Sequence, residues 1–127
     1  MTLDWTIMTK NRRVTVVADG RVTQADVEKC LNAVSGAGAL NYGKLVDCRR
    51  IELAMNHEEI LATGFRIREH HGGPVGPLAI VIPAAPPASF NRLLGFFAAA
   101  DRPMRVFVGR LRAERWLDGA MRRKYSS

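Results

Sequence analysis

The sequence predicts a single α/β domain with the element order ββαβαβαβα, built on a mostly parallel sheet with an antiparallel amino-terminal edge strand. The chain has 127 residues, the length of one ordinary domain, so residues 1–127 are treated as one unit. Short apolar runs alternate with segments whose apolar residues recur at helical spacing. Strands that alternate with helices in this way form parallel sheets with right-handed crossovers.

The first two strands are predicted to form an antiparallel hairpin. Residues 3–8 alternate apolar with other side chains, residues 10–12 form a polar turn, and residues 13–18 form the second strand. Residues 19–21 contain Asp-Gly and are expected to end that strand. The first strand, which carries Trp5, is expected at the edge of the sheet.

Capping residues mark the starts of the first two helices. Thr23 is followed by Asp26, and Asn56 by Glu59, at the three-residue spacing of a capping box. The apolar face of the first helix is expected to comprise Val27, Cys30, Leu31 and Val34. The second helix is expected to end at residues 70–74 and to bury Ile60, Leu61, Gly64, Phe65 and Ile67.

The central strand is predicted at residues 44–49, buried on both faces and near the middle of the sheet, with residues 50–55 as a connector. The next strand is the continuous apolar run of residues 78–82, which is typical of a parallel strand covered on both faces. A third helix at residues 88–100 and a last strand at residues 104–108 follow. The final helix places on one face Ala113, Trp116, Leu117 and Ala120.

Three local patterns in this order resemble the SpoIIAA-like domains, also called STAS (sulfate transporter and anti-sigma factor antagonist) domains. They are Gly-Arg-Val-Thr at residues 20–23, Leu-Val-Asp at residues 45–47 with Arg49, and Ala113-x-x-Trp116-Leu117. The resemblance covers nearly the whole chain. It implies a cytoplasmic module that binds other proteins and, in some members, nucleotides or small ligands.

The phosphorylation switch of the regulatory members does not carry over. In those proteins a Ser or Thr is phosphorylated at the amino terminus of the helix after the central strand. Here residues 55–59 read Met-Asn-His-Glu-Glu, without a hydroxyl group. The resemblance therefore implies a binding or regulatory module that lacks this switch.

Charge and composition restrict the partners. The formal net charge of +7 suits an anionic partner, but the basic residues are spread along the chain and only residues 122–124 form a basic run. Specific nucleic-acid binding is therefore not expected. No apolar run approaches the roughly 20 residues that span a bilayer, and residues 1–5 show no secretory signal, so a cytoplasmic protein is expected. Cys30 and Cys48 are expected to be reduced thiols in the core.

Candidate site residues gather at the carboxyl ends of the predicted parallel strands, where open α/β sheets bind ligands. They include Asp47, Arg49 and Arg110, and at the helix starts Asn56, His57 and Ser89. Helix amino termini attract anions, so a small anionic ligand or an acidic partner side chain is expected here. The alternative is that Asp47 and Arg49 form a structural pair and that His57 is simply solvated.

No catalytic or metal-binding constellation is recognised in the sequence. Asp47, His57 and Glu58 are acid/base groups, but no nucleophile pairs with them at a known spacing, and the pair at residues 70–71 is two histidines without a carboxylate partner. A non-enzymatic module without cofactor or metal is therefore predicted, binding an unknown protein partner. The alternative is a carrier or sensor of a small anionic or lipid-like ligand at the carboxyl ends of the strands.

A homodimer is also predicted. Phe96 lies about 100° around the third helix from Phe97, outside the core stripe, so it is a candidate for contact with a partner or a ligand. Alternatively, a neighbouring helix or loop covers it. The edge strand with Trp5 presents unpaired backbone groups, which favour pairing with a second copy.

Overall fold

The computed structural model describes residues 2–70, 75–99 and 102–125, and within them five strands and four helices follow the predicted order. The elements are β1 (Leu3–Met8), β2 (Arg13–Val22), α1 (Gln24–Gly36), β3 (Gly43–Leu53), α2 (His57–Glu69), β4 (Leu78–Val81), α3 (Ala88–Ala98), β5 (Met104–Phe107) and α4 (Arg110–Tyr125).

The five strands form one sheet in the order β1-β2-β3-β4-β5, so the predicted central strand, β3, is the middle one. β1 pairs antiparallel with β2, and the other pairs are parallel. Each crossover therefore moves one strand further in the same direction. Because parallel crossovers are right-handed, α1, α2 and α3 all lie on one face, and the chain returns along the other face as α4.

Two apolar cores result, one on each face of the sheet. Side chains along a strand alternate between its faces, so Leu78 and Ile80 of β4 join the core beneath α1 and α3, whereas Ala79 and Val81 join the core beneath α4. All four residues of β4 are buried, which confirms the prediction of a strand covered on both faces. Trp116 of α4 is half-buried, with its ring centroid 5.9 Å from that of Phe107.

Both predicted capping boxes are present. The backbone N–H of Asp26 donates to Thr23 Oγ1 at 3.2 Å, and the N–H of Thr23 donates to Asp26 Oδ2 at 2.9 Å. At α2 the N–H of Glu59 donates to Asn56 Oδ1 at 2.8 Å, and the N–H of Asn56 donates to Glu59 Oε1 at 3.0 Å. These short local contacts explain why the helix starts were predictable from residue type and spacing.

The predicted ends of β2 and β3 were wrong. β2 continues through residues 19–22 and β3 through residues 50–53, because these segments pair with each other from Asp19–Arg50 to Val22–Leu53. The register shifts between Val17 and Asp19, and Gly20 adopts a φ of 91°. A glycine tolerates this left-handed conformation, so residues that signal a turn are accommodated inside an irregular stretch of the ladder.

The predicted inner face of α2 was also partly wrong. Ile60, Gly64 and Ile67 are buried as expected, but Leu61 is 38% and Phe65 is 59% exposed. Phe65 follows Gly64 and so points about 100° away from the packed face. The predicted stop of this helix falls partly on residues 71–74, which lie outside the described part of the chain, as does residue 100 at the predicted end of the third helix.

Candidate functional site

Asp47 is a charged side chain in the wall of the core, with a side-chain exposure of 7%. It is the last residue of β3 that pairs with β4, opposite Val81. Its Oδ1 accepts from the backbone N–H of Arg49 at 3.2 Å and from Arg49 Nε at 3.0 Å, and its Oδ2 accepts from Arg49 Nη2 at 2.8 Å. Arg110 Nη1, at the start of α4, lies 3.5 Å from the same Oδ2.

These contacts lower the pKa of Asp47. The hydrogen bonds from the Arg49 side chain have the largest effect, burial acts in the opposite direction, and the Arg49 backbone N–H and the charges of Arg49 and Arg110 add to the lowering. Asp47 is therefore ionised at neutral pH and neutralises the guanidinium groups beside it.

A polar cleft of about 240 Å³ lies at this carboxyl end of β2 and β3. It brings together three of the predicted site residues and adds Arg50, which the sequence analysis had assigned to a connector. The cleft is lined by Val17, Ala18, Asp19, Asp47, Arg49, Arg50 and Arg110. The Arg49 side chain donates two hydrogen bonds to Asp47, which agrees with a structural pair. Arg110 also donates to Glu114 at 3.0 Å.

The remaining predicted site residues lie on α2, on α3 or at the cap of α2, and they share no hydrogen bond or ion pair with the described residues of the cleft. Asn56 uses its side chain to cap α2. His57 Nδ1 lies 2.9 Å from Arg92 Nη1, and since arginine can only donate, this ring nitrogen is the acceptor. Ser89 is half-buried in the first turn of α3. Arg92 was missed because its partner is on another helix, 35 residues away.

Phe96 packs against α2, which is the covered arrangement that the sequence analysis left open. A Cβ added at Gly64 would lie 2.5 Å from two carbons of the Phe96 ring, so the ring occupies the space of the missing side chain. The guanidinium carbon of Arg68 lies 6.0 Å from the ring centroid. Phe96 thus joins α3 to α2.

An apolar cavity of about 130 Å³ lies on the other side of α3, between the sheet and helices α1, α2 and α3. The core stripe of α3 forms one wall through Phe90, Leu93, Leu94 and Phe97, and α2 contributes Ile67. The floor is the sheet, with Ala18, Val46, Cys48 and Ile80 among the lining residues. No sequence pattern indicates such a space, because it arises from how well three helices and a sheet fill the volume between them.

Two buried thiols, Cys30 of α1 and Cys48 of β3, line this cavity. Burial raises the pKa of Cys30 to about 11. Burial, with a smaller effect of the Asp47 charge, raises the pKa of Cys48 to about 12. Both thiols are therefore protonated at neutral pH, and as such they are poor nucleophiles.

Three basic side chains line the cavity at the amino-terminal edge of the sheet: Lys44, His70 and Arg102. Lys44 Nζ donates to the carbonyl oxygens of Leu40 and Tyr42. His70 Nδ1 lies 2.8 Å from the carbonyl oxygen of Arg66, to which it must donate.

Arg102 differs from the other two in making few polar contacts with the residues that the structure describes. Its Nη2 lies 3.4 Å from the carbonyl oxygen of Phe97, and its Nε is buried without a hydrogen-bond partner among the described residues. Burial lowers the pKa of the Arg102 guanidinium to about 10, so it stays charged at neutral pH. No sequence pattern marks Arg102 as a site residue, because its partial burial is a result of tertiary packing.

Within residues 2–70, 75–99 and 102–125, no three His, Cys, Asp or Glu side chains form a group that could hold a metal ion. The second histidine of the pair at residues 70–71 is outside these ranges. None of the helices in the described ranges combines the length and the apolar character needed to cross a bilayer.

Comparison with known proteins identifies the fold. A similar solved structure is that of an uncharacterised protein of the DUF3478 family, with a SpoIIAA-like fold, from Shewanella loihica PV-4. The similarity has a TM-score of 0.61, covers 91% of each chain and has 17% sequence identity. No protein-family model matches the chain, and no curated protein matches it significantly. The likeness confirms the resemblance predicted from the sequence at the level of architecture: this chain has the SpoIIAA-like fold.

Proposed function

We propose that the protein is a non-enzymatic binding module that holds a small apolar group in the cavity between its sheet and helices α1, α2 and α3. The observation that supports this proposal is the cavity itself, about 130 Å³ of space with an almost wholly apolar lining. Apolar cavities of this size stay dry and take up small apolar molecules; an engineered cavity of about 150 Å³ binds benzene.

Filling the cavity with a ligand is energetically favourable. An empty cavity destabilises a protein by about 24 cal/mol per Å³, so a space of about 130 Å³ costs about 3 kcal/mol. A ligand that fills the space recovers part of that free energy through contacts with its walls. A ligand that binds the folded protein and not the unfolded chain would then stabilise the folded state by mass action.

The side chains that line the cavity favour a binding function over a catalytic one. The nucleophilic candidates there, Cys30 and Cys48, are protonated because burial raises the pKa of each thiol. The polar cleft around Asp47 contains an ion pair that is already satisfied. Among the described residues, neither place offers an activated nucleophile with a base beside it.

Benzene is the simplest probe of this function. We expect saturating benzene to raise the melting temperature of the wild-type protein and to shift the amide NMR signals of cavity residues such as Val46 and Leu94. Cys48→Leu adds bulk inside the cavity and should reduce both effects. Phe65→Ser, on the exposed face of α2, is the matched control and should retain them.

The wild-type titration decides the question even if Cys48→Leu folds poorly from overpacking. Absence of shifts at the cavity residues up to the solubility limit of benzene would disprove the proposed function. Shifts confined to the surface around Phe65 would disprove it equally, since they would place the probe outside the cavity.

A further inference from the structure

Building on the proposed function, we propose that the ligand is a small organic monoanion, whose carboxylate pairs with Arg102 and whose apolar part, of about six carbon atoms, fills the cavity. The proposal combines three observations: a half-buried cation whose Nε has no partner among the described residues, its position at the end of an apolar cavity, and the volume of that cavity.

The first observation is the missing counter-ion. No carboxylate among the described residues pairs with Arg102, and its Nε has no partner there. A guanidinium has five N–H donors, and burying a charge without a partner is costly. A ligand anion would supply both the charge and the acceptors. The planar guanidinium matches a carboxylate in particular, because both can form two parallel hydrogen bonds.

The second observation is position. Arg102 lines the same cavity as Val46, Cys48 and Phe97, so its side chain lies at the end of a space whose lining is almost wholly apolar. None of the described residues that line that space is acidic. A molecule that satisfies the whole site must therefore have an anionic end and an apolar end, with the anionic end at the amino-terminal edge of the sheet.

The third observation is volume. The cavity, at about 130 Å³, is slightly smaller than the engineered one that binds benzene and well below the roughly 300–1,000 Å³ of pockets for drug-sized ligands. Hexanoate and benzoate match this space. The volume of a long acyl chain exceeds that of the cavity. The lipid-like ligand expected from the sequence should therefore have a short chain.

The polar cleft at the opposite edge of the sheet is a weaker anion site. Its Arg49 is bound through Nε and Nη2 to Asp47, and its Arg110 is shared between Asp47 and Glu114. An anion there would have to displace the Asp47 carboxylate or bind beside it. The sequence predicted an anion site at the carboxyl ends of the strands. We instead expect the anion at the opposite edge of the sheet, beside Arg102.

Comparing the binding of hexanoate and 1-hexanol separates the contribution of the carboxylate from that of the apolar chain. We expect wild-type protein to bind hexanoate about ten- to a hundredfold more tightly than hexanol, the range expected when a charged hydrogen bond is lost. Arg102→Met keeps the length of the side chain but removes its charge. It should weaken hexanoate binding by the same factor and leave hexanol binding within about twofold.

The control for general electrostatics is Arg105→Met, which removes one positive charge from an exposed side chain on β5. It should change neither affinity by more than about twofold, since exposed charges are screened by salt. The Arg102 Nε–H signal, identified by its loss in Arg102→Met, reports contact directly. It should shift with hexanoate and not with hexanol.

The outcomes separate this inference from the proposed function. If benzene, hexanol and hexanoate all fail to bind, the proposed function itself is wrong. If hexanol binds as tightly as hexanoate, or if Arg102→Met loses no preference, only the carboxylate assignment is overturned. Dodecanoate binding more tightly than hexanoate would overturn the size limit. Should Arg102→Met fail to fold, the wild-type comparison and the Nε–H signal still decide.

Discussion

Asp47 and Arg102 show at the scale of single residues how the same charge chemistry leads to different roles. Asp47 is buried, but its partner Arg49 is two residues along the same strand, so the pair could be predicted from the sequence. Arg102 is half-buried, and it lines a cavity whose other walls come from residues far along the chain. The pairing of Asp47 agrees with a structural role, whereas ligand binding by Arg102 is the role that we propose.

The stability that Asp47 contributes should depend on pH. Asp47→Asn removes the charge that Arg49 and Arg110 contact, and we expect it to lower the free energy of unfolding at pH 7 by about 1.5–3 kcal/mol. The pKa of Asp47 is lowered by folding, so its contribution is present above the unfolded value of about 4 and is lost as the pH falls toward the folded value.

Urea unfolding of the wild type and Asp47→Asn at pH 7 and at pH 3 measures this effect. The difference between the two proteins should shrink at the lower pH. Asp4→Asn, at an exposed position of β1, serves as the control and should have little effect at either pH. A difference that stays constant between the two pH values would show that Asp47 acts through packing rather than charge.

At the scale of elements, features set by neighbouring residues were predicted correctly from the sequence. Features that depend on contacts with another element were not. The starts of α1 and α2 are set by side chains three residues apart, so residue type alone predicted them. The ends of β2 and β3 depend on the ladder between them, which continues through Asp19 and Gly20. The inner face of α2 depends on Phe96, a residue of another helix, which fills the space beside Gly64.

The contact between α2 and α3 can be tested with two glycines. Gly64→Ala should lower the free energy of unfolding by about 1–3 kcal/mol, because its Cβ would lie 2.5 Å from Phe96 ring carbons. Gly95→Ala, on α3 with no atom within 4 Å of its Cβ, should raise it by about 0.5–1 kcal/mol through helix propensity. Denaturant unfolding measures both. Stabilisation by both substitutions would show that Phe96 moves aside freely.

At the scale of the whole molecule, the sheet has two edges, β1 and β5, and the helices cover its two faces unequally. Three helices on one face enclose the cavity, whereas α4 alone covers the other face, over β3, β4 and β5. The order of elements predicted the parallel sheet. It could not predict the cavity, because its volume depends on small mismatches between the side chains of α1, α2 and α3 and those of the sheet.

The homodimer predicted from the sequence remains a prediction, and the structure changes the surface on which we expect it. Phe96 is half-buried against Gly64, and Trp5 packs against the core beneath α1. The exposed apolar side chains near the other edge are Val106 of β5 at 43%, Val108 just after β5 at 76% and Leu111 of α4 at 60%. An edge strand with exposed apolar side chains readily pairs with another strand, and two copies of β5 related by a twofold axis would satisfy each other.

Light scattering at micromolar concentration should therefore give twice the chain mass of 14.1 kDa. Val106→Asp places a charge on the β5 edge and should shift the protein to the monomer without unfolding it, because the side chain is exposed. Thr6→Asp makes the matching change at an exposed position of β1 and should leave the dimer intact. If Thr6→Asp dissociates the dimer instead, the β1 edge is the interface. A clean monomer of the wild-type protein would rule out both edges, and ligand binding would then be a property of the single chain.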